Sequence, residues 1–380
     1  MAEKVLSNAR LVLADEVVHG SLLLRDGRIA EVASGATAAR GAEDMAGDFL
    51  LPGLVDLHTD HFEKHVLPRP GTQWSALAAV LAHDAQMAAG GITTSFDCVC
   101  VGVSIRNPER YEIFRPMIDA VREARDKGVL RADHIVHLRC EVTDPNVVEL
   151  FDSVADHAAV GMMSLMDHAP GHRQSPDVQR FRARTMKNLK LSEAEADAHI
   201  ERLMNASQTE APQNRRALAA RARQRGLAIA SHDDETPEHV EEAAAMGITV
   251  SEFPTTLAAA RRARDKGMKI IMGAPNLLRG GSHSGNVSVA ALAAEGLLDN
   301  LASDYVPASL LQAAFRLTEE AHGFTLPQAV ATVTAQPAET ARLADRGRIA
   351  PGLRADLLRV AVIEGQPFVR TVWRESERVM

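Results

Sequence analysis

The chain is poor in aromatic residues and in cysteine. Aromatic residues make up only 4% of the 380 residues, which argues against a site that stacks bases or sugars. The three cysteines, Cys98, Cys100 and Cys140, form neither a secreted disulfide framework nor a four-sulfur zinc site. A reducing cytoplasm therefore fits this composition best.

Export and membrane patterns are also missing from the sequence. We find no unbroken apolar span of about 20 residues, and the segment MAEKVLSNARLVL lacks a positive region followed by an apolar core and a cleavage site. The formal net charge is −8, so neither a nucleic-acid partner nor an anionic membrane surface is expected. An anionic small-molecule ligand would have to be bound by a few placed cations.

What the chain does contain is a large apolar fraction, 46% of its residues, which is enough for a barrel of about 250 residues plus a smaller unit. Short strand-like segments occur near both ends, at 10–13, 21–24, 28–32, 348–349, 356–358 and 368–373. The pair Asp26-Gly27 suits a hairpin turn. We predict that residues 1–50 and 345–380 form one β-sandwich, with a barrel of residues 51–344 inserted between them.

The middle of the chain alternates short apolar runs with longer segments rich in Ala, Glu and Arg. The eight runs are 54–57, 92–98, 135–140, 160–166, 227–230, 248–250, 269–272 and 298–302. This alternation predicts an α/β fold, a parallel (β/α)8 TIM-like barrel. A Rossmann-like sheet is the competitor, but no glycine-rich dinucleotide fingerprint follows an early strand.

A charged segment between Ser175 and Gly226 interrupts the alternation of apolar runs and helix-like segments. Ser192 followed by Glu195 matches a capping box, which predicts helices here. Two or three helices longer than a barrel requires are favoured over a separate domain. Two alternative roles for this segment are a lid and a homo-oligomer contact.

The stretch Leu51 to His61, LPGLVDLHTDH, ends a predicted strand in a cluster of polar residues. At the period of two, His58 and Asp60 point to the same side and can reach one cation. Four further strand ends carry ligand-type side chains: Glu141, His168, His232 and Asp304. A single strand-end histidine is more often structural, but six such groups at one barrel rim predict a site for one or two ions of zinc, manganese or iron.

Several longer motifs resemble one known family. They are residues 51–60, 137–141, 164–171, 230–234, 252–256, 272–286 and 303–305. On these motifs, which extend over essentially the whole chain, the sequence resembles the amidohydrolase superfamily and, within it, the diphosphatases of the carbon–phosphorus lyase pathway. The resemblance implies a barrel with a β-sandwich built from both chain ends. It further implies hydrolysis of α-D-ribose 1-methylphosphonate 5-triphosphate to the 5-phosphate and diphosphate, in phosphonate catabolism.

We assign roles to the strand-end residues as a hypothesis. His58, Asp60, Glu141, His168 and His232 hold the metal, with Glu141 bridging if there are two ions, and Asp304 orients the water and takes its proton while also serving as a ligand. Two departures from the superfamily pattern stand out. The first strand ends His-Thr-Asp instead of His-x-His, and Glu141 follows the third run instead of the fourth. Either the count has missed a strand or the bridging carboxylate comes from an earlier one.

A triphosphate needs cations around it. The candidates are Lys64, Arg106, Arg139, Arg173 and Arg279, together with His283. Each of these taken singly is more often a surface charge. Arg279 is the strongest because the following glycine-rich segment, residues 280–285, could offer backbone amides to phosphate.

Other functions remain as alternatives. An amide or cyclic-amide hydrolase of the dihydroorotase or hydantoinase type would be expected to carry a carboxylated lysine at a strand end, where this chain has Glu141. A metal-free scaffold would be expected to have lost several ligands. The pair His61 and His65 lacks the adjacent glutamate of the helical zinc-protease motif, and we assign no chemistry to Cys98 or Cys100.

Overall fold

The computed structural model describes residues 3–102, 109–282 and 284–380. The strands are β1 (Glu3–Val12), β2 (Val17–Arg25), β3 (Arg28–Ser34), β4 (Glu43–Asp44), β5 (Phe49–Pro52), β6 (Leu54–Thr59), β7 (Ile92–Val101), β8 (Asp133–Glu141), β9 (Val160–Met166), β10 (Ala228–His232), β11 (Val250–Glu252), β12 (Lys269–Gly273), β13 (Asn300–Ala302), β14 (Leu357–Ile363), β15 (Gln366–Arg374) and β16 (Glu377–Arg378). The helices are α1 (His61–Val66), α2 (Ala76–Ala89), α3 (Arg110–Asp126), α4 (Val147–Asp152), α5 (Val178–Leu189), α6 (Glu193–Thr209), α7 (Ala211–Gln224), α8 (Pro237–Ala245), α9 (Leu257–Asp265), α10 (Ala274–Leu278), α11 (Val289–Ala294), α12 (Ser309–Arg316), α13 (Leu326–Ala331) and α14 (Ala335–Thr340).

Strands β6 to β13 form the barrel. In the described part of the chain they make an eight-stranded sheet in sequential order, with each hydrogen-bonded neighbour parallel. The backbone N–H of Asp60 donates to the carbonyl of Asp304 at 2.8 Å, and that of Asp304 donates to the carbonyl of His58 at 2.9 Å. These bonds bring the last strand end to the first. The predicted barrel is confirmed, and each predicted run overlaps one of its strands.

The barrel is filled by apolar side chains and capped by polar ones. The interior cluster consists of Val55, Leu57, Phe96, Met162, Ala228, Ala230, Val250, Ile271, Ala302 and Ala338. A parallel sheet in which both faces are covered needs apolar residues on both, which explains the nearly continuous apolar runs in the sequence. The strands end in polar residues, and their carboxyl ends meet at one rim.

The two ends of the chain form the second sheet. Its order is β16-β15-β14-β5-β1-β2-β3, with β4 paired to β1, so β5 from the first part of the chain pairs antiparallel with β14 from the last part. Asp26 and Gly27 both have positive φ, 51° and 77°, as the tight turn between β2 and β3 requires. The prediction that both ends join is confirmed, with hydrogen bonds linking them in one continuous sheet. The domain boundaries at residues 50 and 345 stay a prediction.

Helices α5, α6 and α7 fill the charged segment, as predicted. Ser192 and Glu195 form the capping box at the start of α6. The segment is tied to the barrel rim, because Asn214 of α7 donates to the carbonyl of Val142 at 2.9 Å and Arg215 bonds Asp167 at 2.5 Å. Over the described residues, no helix combines the length and apolar character needed to cross a membrane.

Candidate functional site

All of the predicted strand-end ligands except Glu141 lie at the barrel mouth in two groups. Ligand atoms of His58, Asp60 and Asp304 all lie within 4.8 Å of one another, and so do those of His168, His232 and Asp233. Five of these six residues were predicted from the sequence. The strand count also resolves the earlier choice, because Glu141 does end the third barrel strand.

A bulge in β6 turns His58 into the barrel. The register between β6 and β7 shifts between Asp56 and Thr59, so that His58 follows the inward-facing Leu57 on the same side. A bulge of this kind re-aims a side chain at a strand end. Asp56 supports it, since its Oδ1 accepts the backbone N–H groups of His58 at 3.3 Å and Ser303 at 3.0 Å.

The imidazole of His58 is buried and has one nitrogen free. Its Nδ1 donates to Oε1 of Glu252 at 2.7 Å. Its Nε2 lies 3.6 Å from Oδ1 of Asp60 and has no hydrogen-bond partner among the described residues. Because an unpaired buried nitrogen is costly, this atom fits a metal ligand.

His232 occupies the other side of the mouth in a similar way. Its Nδ1 donates to Oε2 of Glu252 at 2.6 Å, and its Nε2 lies 3.3 Å from Oδ2 of Asp233. That carboxylate oxygen is buried and likewise lacks a hydrogen-bond partner in the part of the chain described. Imidazole nitrogen and carboxylate oxygen are donors that suit zinc, manganese and iron. The residues present therefore fit a divalent ion.

Glu141 makes protein contacts with both of its carboxylate oxygens. Oε2 accepts from Nδ1 of His168 at 2.7 Å, and Oε1 accepts from the hydroxyl of Thr143 at 2.9 Å. It is not a member of either ligand group. In this arrangement Glu141 orients His168, and its role as a bridging ligand stays a prediction.

Arg139 lies between the two groups. Its Nη1 donates to Oδ1 of Asp60 at 2.5 Å, and its Nη2 lies 3.3 Å from Nε2 of His232. Burial opposes the charge on both partners of the ion pair, but their attraction outweighs it. The pKa of Asp60 is thus held well below its usual range, and the pKa of Arg139 is raised well above its own. A fixed positive charge therefore sits among the candidate ligands.

The pKa of Asp304 is shifted in the opposite direction from that of Asp60, although a backbone hydrogen bond joins the two residues. Burial, together with the negative charge of Asp60, raises the pKa of Asp304 to about 6. Its backbone has a positive φ of 56°, which is unusual for a residue other than glycine and marks a constrained position. A carboxylate with this pKa is largely ionised at pH 7 and can still take up a proton.

A small cavity of about 80 Å³ opens beside these residues. Its walls include Asp233, Asp304, Tyr305, Ser282 and Asn286. Carboxyl groups and side-chain donors thus face the same space. The cavity joins the ligand groups to the glycine-rich segment after α10.

Two of the predicted phosphate-binding cations meet at Tyr305, on the rim of this cavity. Lys64 Nζ donates to the Tyr305 carbonyl at 3.4 Å, and Arg279 Nη1 donates to its hydroxyl at 3.4 Å. Arg173 is different: it is buried, and its Nη1 donates to the carbonyl of His232 at 2.9 Å. Its contacts brace the end of β10. Arg106 and His283 lie outside the described residues.

The sequence prediction missed three residues of the site. Glu252 holds His58 and His232, Asp233 completes a ligand group, and His137 lies under His58 with its Nδ1 donating to the Leu57 carbonyl at 3.0 Å. Burial lowers the pKa of His137 to about 4, so this ring is neutral. The strand-end rule would have found Glu252 had it been applied to the sixth run.

Comparison with known proteins agrees with this geometry. The sequence profile of the Amidohydrolase family matches residues 85–374. The chain therefore belongs to the amidohydrolase family. Proteins of this family generally depend on a bound metal, and the barrel mouth holds groups that could bind one.

Comparison with individual proteins is more specific than the family match. The chain is 43% identical, over 99% of its length and 100% of the relative's, to the α-D-ribose 1-methylphosphonate 5-triphosphate diphosphatase of Escherichia coli (strain K12). It is 31% identical to a D-hydantoinase of Ralstonia pickettii over only 93 residues, 24% of this chain and 19% of the other. Among solved structures, a 5-methylcytosine deaminase from Klebsiella pneumoniae has a TM-score of 0.65 at 16% identity, with 99% of this chain and 98% of the other covered. That similarity concerns the fold alone.

Proposed function

We propose that this chain hydrolyses α-D-ribose 1-methylphosphonate 5-triphosphate to the 5-phosphate and diphosphate, as a metal-dependent step of phosphonate catabolism. The observation that carries the proposal is the end-to-end match to a diphosphatase of that name at 43% identity. The barrel mouth supports it with clustered nitrogen and oxygen donors, a buried carboxylate and a cationic rim. The hydantoinase alternative rests on a match to 24% of the chain.

The residues that would hold the metal are those of the two ligand groups. His58, Asp60 and Asp304 form one, and His168, His232 and Asp233 form the other. A divalent ion held by these residues would supply a water molecule with its pKa lowered toward about 7, available as hydroxide at neutral pH. Zinc, manganese and iron all suit these donors. Glu141, whose Oε2 accepts from Nδ1 of His168, is the remaining candidate ligand.

Asp304 is the proposed general base. It takes a proton from the water that attacks the α-phosphorus, and burial beside the charge of Asp60 raises its pKa, which favours proton uptake. The new bond joins the water oxygen to the α-phosphorus. The bond between that phosphorus and the bridging oxygen breaks, and diphosphate leaves with the electron pair.

The charge on the leaving diphosphate needs compensation. Lys64 and Arg279 each contact Tyr305, which lines the cavity. Phosphoryl transfer depends mainly on positioning and on electrostatic stabilisation of this kind. Ser282 and the neighbouring glycine-rich backbone line the same cavity and could donate hydrogen bonds to phosphate oxygens. We therefore place the terminal phosphates on this side of the mouth.

We also propose a cytoplasmic enzyme that acts on a small molecule. The three cysteines are buried and free in the structure, which suits a reducing compartment. The net charge of −8 argues against a nucleic-acid partner. The segment from α5 to α7 remains the candidate for a homo-oligomer contact or for a lid.

A substrate panel tests the function. Metal-loaded protein is incubated separately with the ribose methylphosphonate triphosphate, with a hydantoin and with dihydroorotate, each with and without a chelator. We expect turnover of the triphosphate only, abolished by the chelator and restored by added metal. Opening of a cyclic amide with the triphosphate left intact would overturn the proposal and favour the alternative.

A further inference from the structure

Glu252 ends β11 and is fully buried beneath the two ligand groups. One of its oxygens accepts from Nδ1 of His58 at 2.7 Å, and the other accepts from Nδ1 of His232 at 2.6 Å. The two histidines come from β6 and β10, which are four strands apart in the eight-stranded sheet described above and thus face each other across the barrel. A single carboxylate therefore joins one ligand from each group.

The surroundings hold this arrangement in place. The rings of His58 and His232 lie 6.0 Å apart and 14° from parallel. Phe253 packs edge-on against both rings, with centroid distances of 4.8 and 5.5 Å. Phe253 also has a positive φ of 55°, an uncommon conformation for a bulky residue and one that tends to persist only where the surrounding structure enforces it.

We propose that Glu252 is a positioning residue that fixes both imidazoles as Nδ1–H tautomers, so that each ring offers its Nε2 lone pair to a bound ion. The proposal rests on the metal site of the proposed function. Its basis is that an ionised carboxylate only accepts hydrogen bonds. Both Nδ1 atoms must therefore carry a proton, and a neutral imidazole then has its lone pair on Nε2. Carboxylates that orient metal-bound histidines in this way also raise their affinity for the ion.

Both oxygens are needed for this role. A glutamine at position 252 would present one acceptor and one donor. One histidine could still donate from Nδ1, while the other would face an N–H group, move its proton to Nε2 and lose its metal-binding lone pair. An amide of nearly the same shape should thus disable one of the two ligands without leaving a cavity.

The first test is metal binding by Glu252→Gln, measured by competition with a chromophoric chelator for zinc. We expect the affinity to fall about 10- to 100-fold. Glu123→Gln, an exposed change on α3, is the matched control and should bind zinc as the unmodified protein does. Equal zinc affinity in both variants would overturn the proposal.

The second test needs no variant. Nitrogen-15 NMR of the histidine rings in the zinc-loaded, unmodified protein should show His58 and His232 with protonated Nδ1 and zinc-bound Nε2. Coordination of either ring through Nδ1 would overturn the proposal even if Glu252→Gln fails to fold. In a folded Glu252→Gln protein, one ring should show the opposite tautomer.

The two proposals fail in distinguishable ways. If zinc binds and the triphosphate is cleaved but a ring uses Nδ1, only the role of Glu252 is refuted. If the unmodified protein binds neither zinc nor manganese nor iron in such titrations, the proposed function is refuted and the role of Glu252 with it.

Discussion

Arg139 and Asp60 form an ion pair in the middle of the candidate site, with Nη1 and Oδ1 2.5 Å apart. The guanidinium side chain is only 8% exposed, whereas the carboxylate is 32% exposed. Asp60 is also a member of a candidate ligand group, so a carboxylate that could reach an ion already pairs with an arginine. Removal of either partner leaves the other charge poorly compensated.

This pair leads to a prediction on stability. Asp60→Asn should lower the free energy of unfolding of the metal-free protein by about 1–3 kcal/mol, because Arg139 is left buried without its partner, while the partial exposure of Asp60 limits the loss. Arg139→Met in the same chain should restore part of the stability, giving a coupling of about 0.5–3 kcal/mol. Urea denaturation of the two single variants and the double variant measures this coupling. Simple additivity of the two changes would show that the pair contributes nothing.

Asp304 gives a prediction on turnover. Asp304→Asn keeps an oxygen for the metal but removes the proton acceptor, so kcat should fall about 10²- to 10⁴-fold while much of the metal is retained. Phosphorus NMR gives the rate and elemental analysis gives the metal content. Asp126→Asn, an exposed change on α3, is the control. Full activity in Asp304→Asn would remove this residue from the mechanism.

The cationic rim predicts an effect that depends on phosphate charge. Lys64→Met and Arg279→Met should each lower kcat/KM for the triphosphate by about tenfold or more, since a hydrogen bond to a charged group contributes about 1.5–3 kcal/mol. The loss should shrink at high salt, where exposed charges are screened. Steady-state kinetics at two ionic strengths tests both statements, with Lys127→Met, an exposed change directly after α3, as the control. An effect no larger than that of the control would place the terminal phosphates elsewhere.

A buried network that links barrel strands β7 and β8 to helix α2 predicts how stability depends on pH. His134 contacts Asp97 at 2.7 Å and Asp84 at 3.2 Å, and Asp97 also contacts His83 at 2.9 Å. Burial opposes protonation of His134, but the two carboxylates outweigh it and raise its pKa from 6.5 to about 10. The resulting stabilisation is complete below pH 6.5 and is lost as the pH rises through about 10.

The corresponding experiment compares the unmodified protein with His134→Asn between pH 6.5 and 10. In the unmodified protein this histidine should make the free energy of unfolding fall by up to about 1.4 kcal/mol per pH unit. The variant should lack that contribution and show a shallower decline. Urea denaturation at several pH values measures the two slopes. Identical slopes would mean that His134 is not charged in the folded protein.

The barrel could be predicted from the sequence because each of its strands has a recognisable local pattern. Each strand is a short apolar run bounded by polar residues, and the carboxyl ends of parallel strands must meet at one rim. His58, His168 and His232 were found by that rule. The bulge in β6 was not predicted, since no local pattern distinguishes a bulge from regular alternation.

The parts of the site that could not be predicted depend on contacts between residues that are distant in the sequence. Glu252 and His58 are hydrogen-bonded although they are 194 positions apart in the sequence. No sequence pattern near either residue indicates that they pair. Arg139 was predicted to bind phosphate, but its alignment with Asp60 depends on the closed barrel. Glu141 was expected to bridge two ions, and only the three-dimensional arrangement reveals its contacts with His168 and Thr143.

The most direct measurement of the central claim is phosphorus NMR of the metal-loaded protein acting on the ribose methylphosphonate triphosphate in ¹⁸O-enriched water. The account predicts metal-dependent formation of diphosphate and the 5-phosphate, with the isotope shift on the 5-phosphate signal alone, because water attacks the α-phosphorus. Label in the diphosphate would contradict the proposed attack. A triphosphate that stays intact with metal present would contradict the proposed function itself.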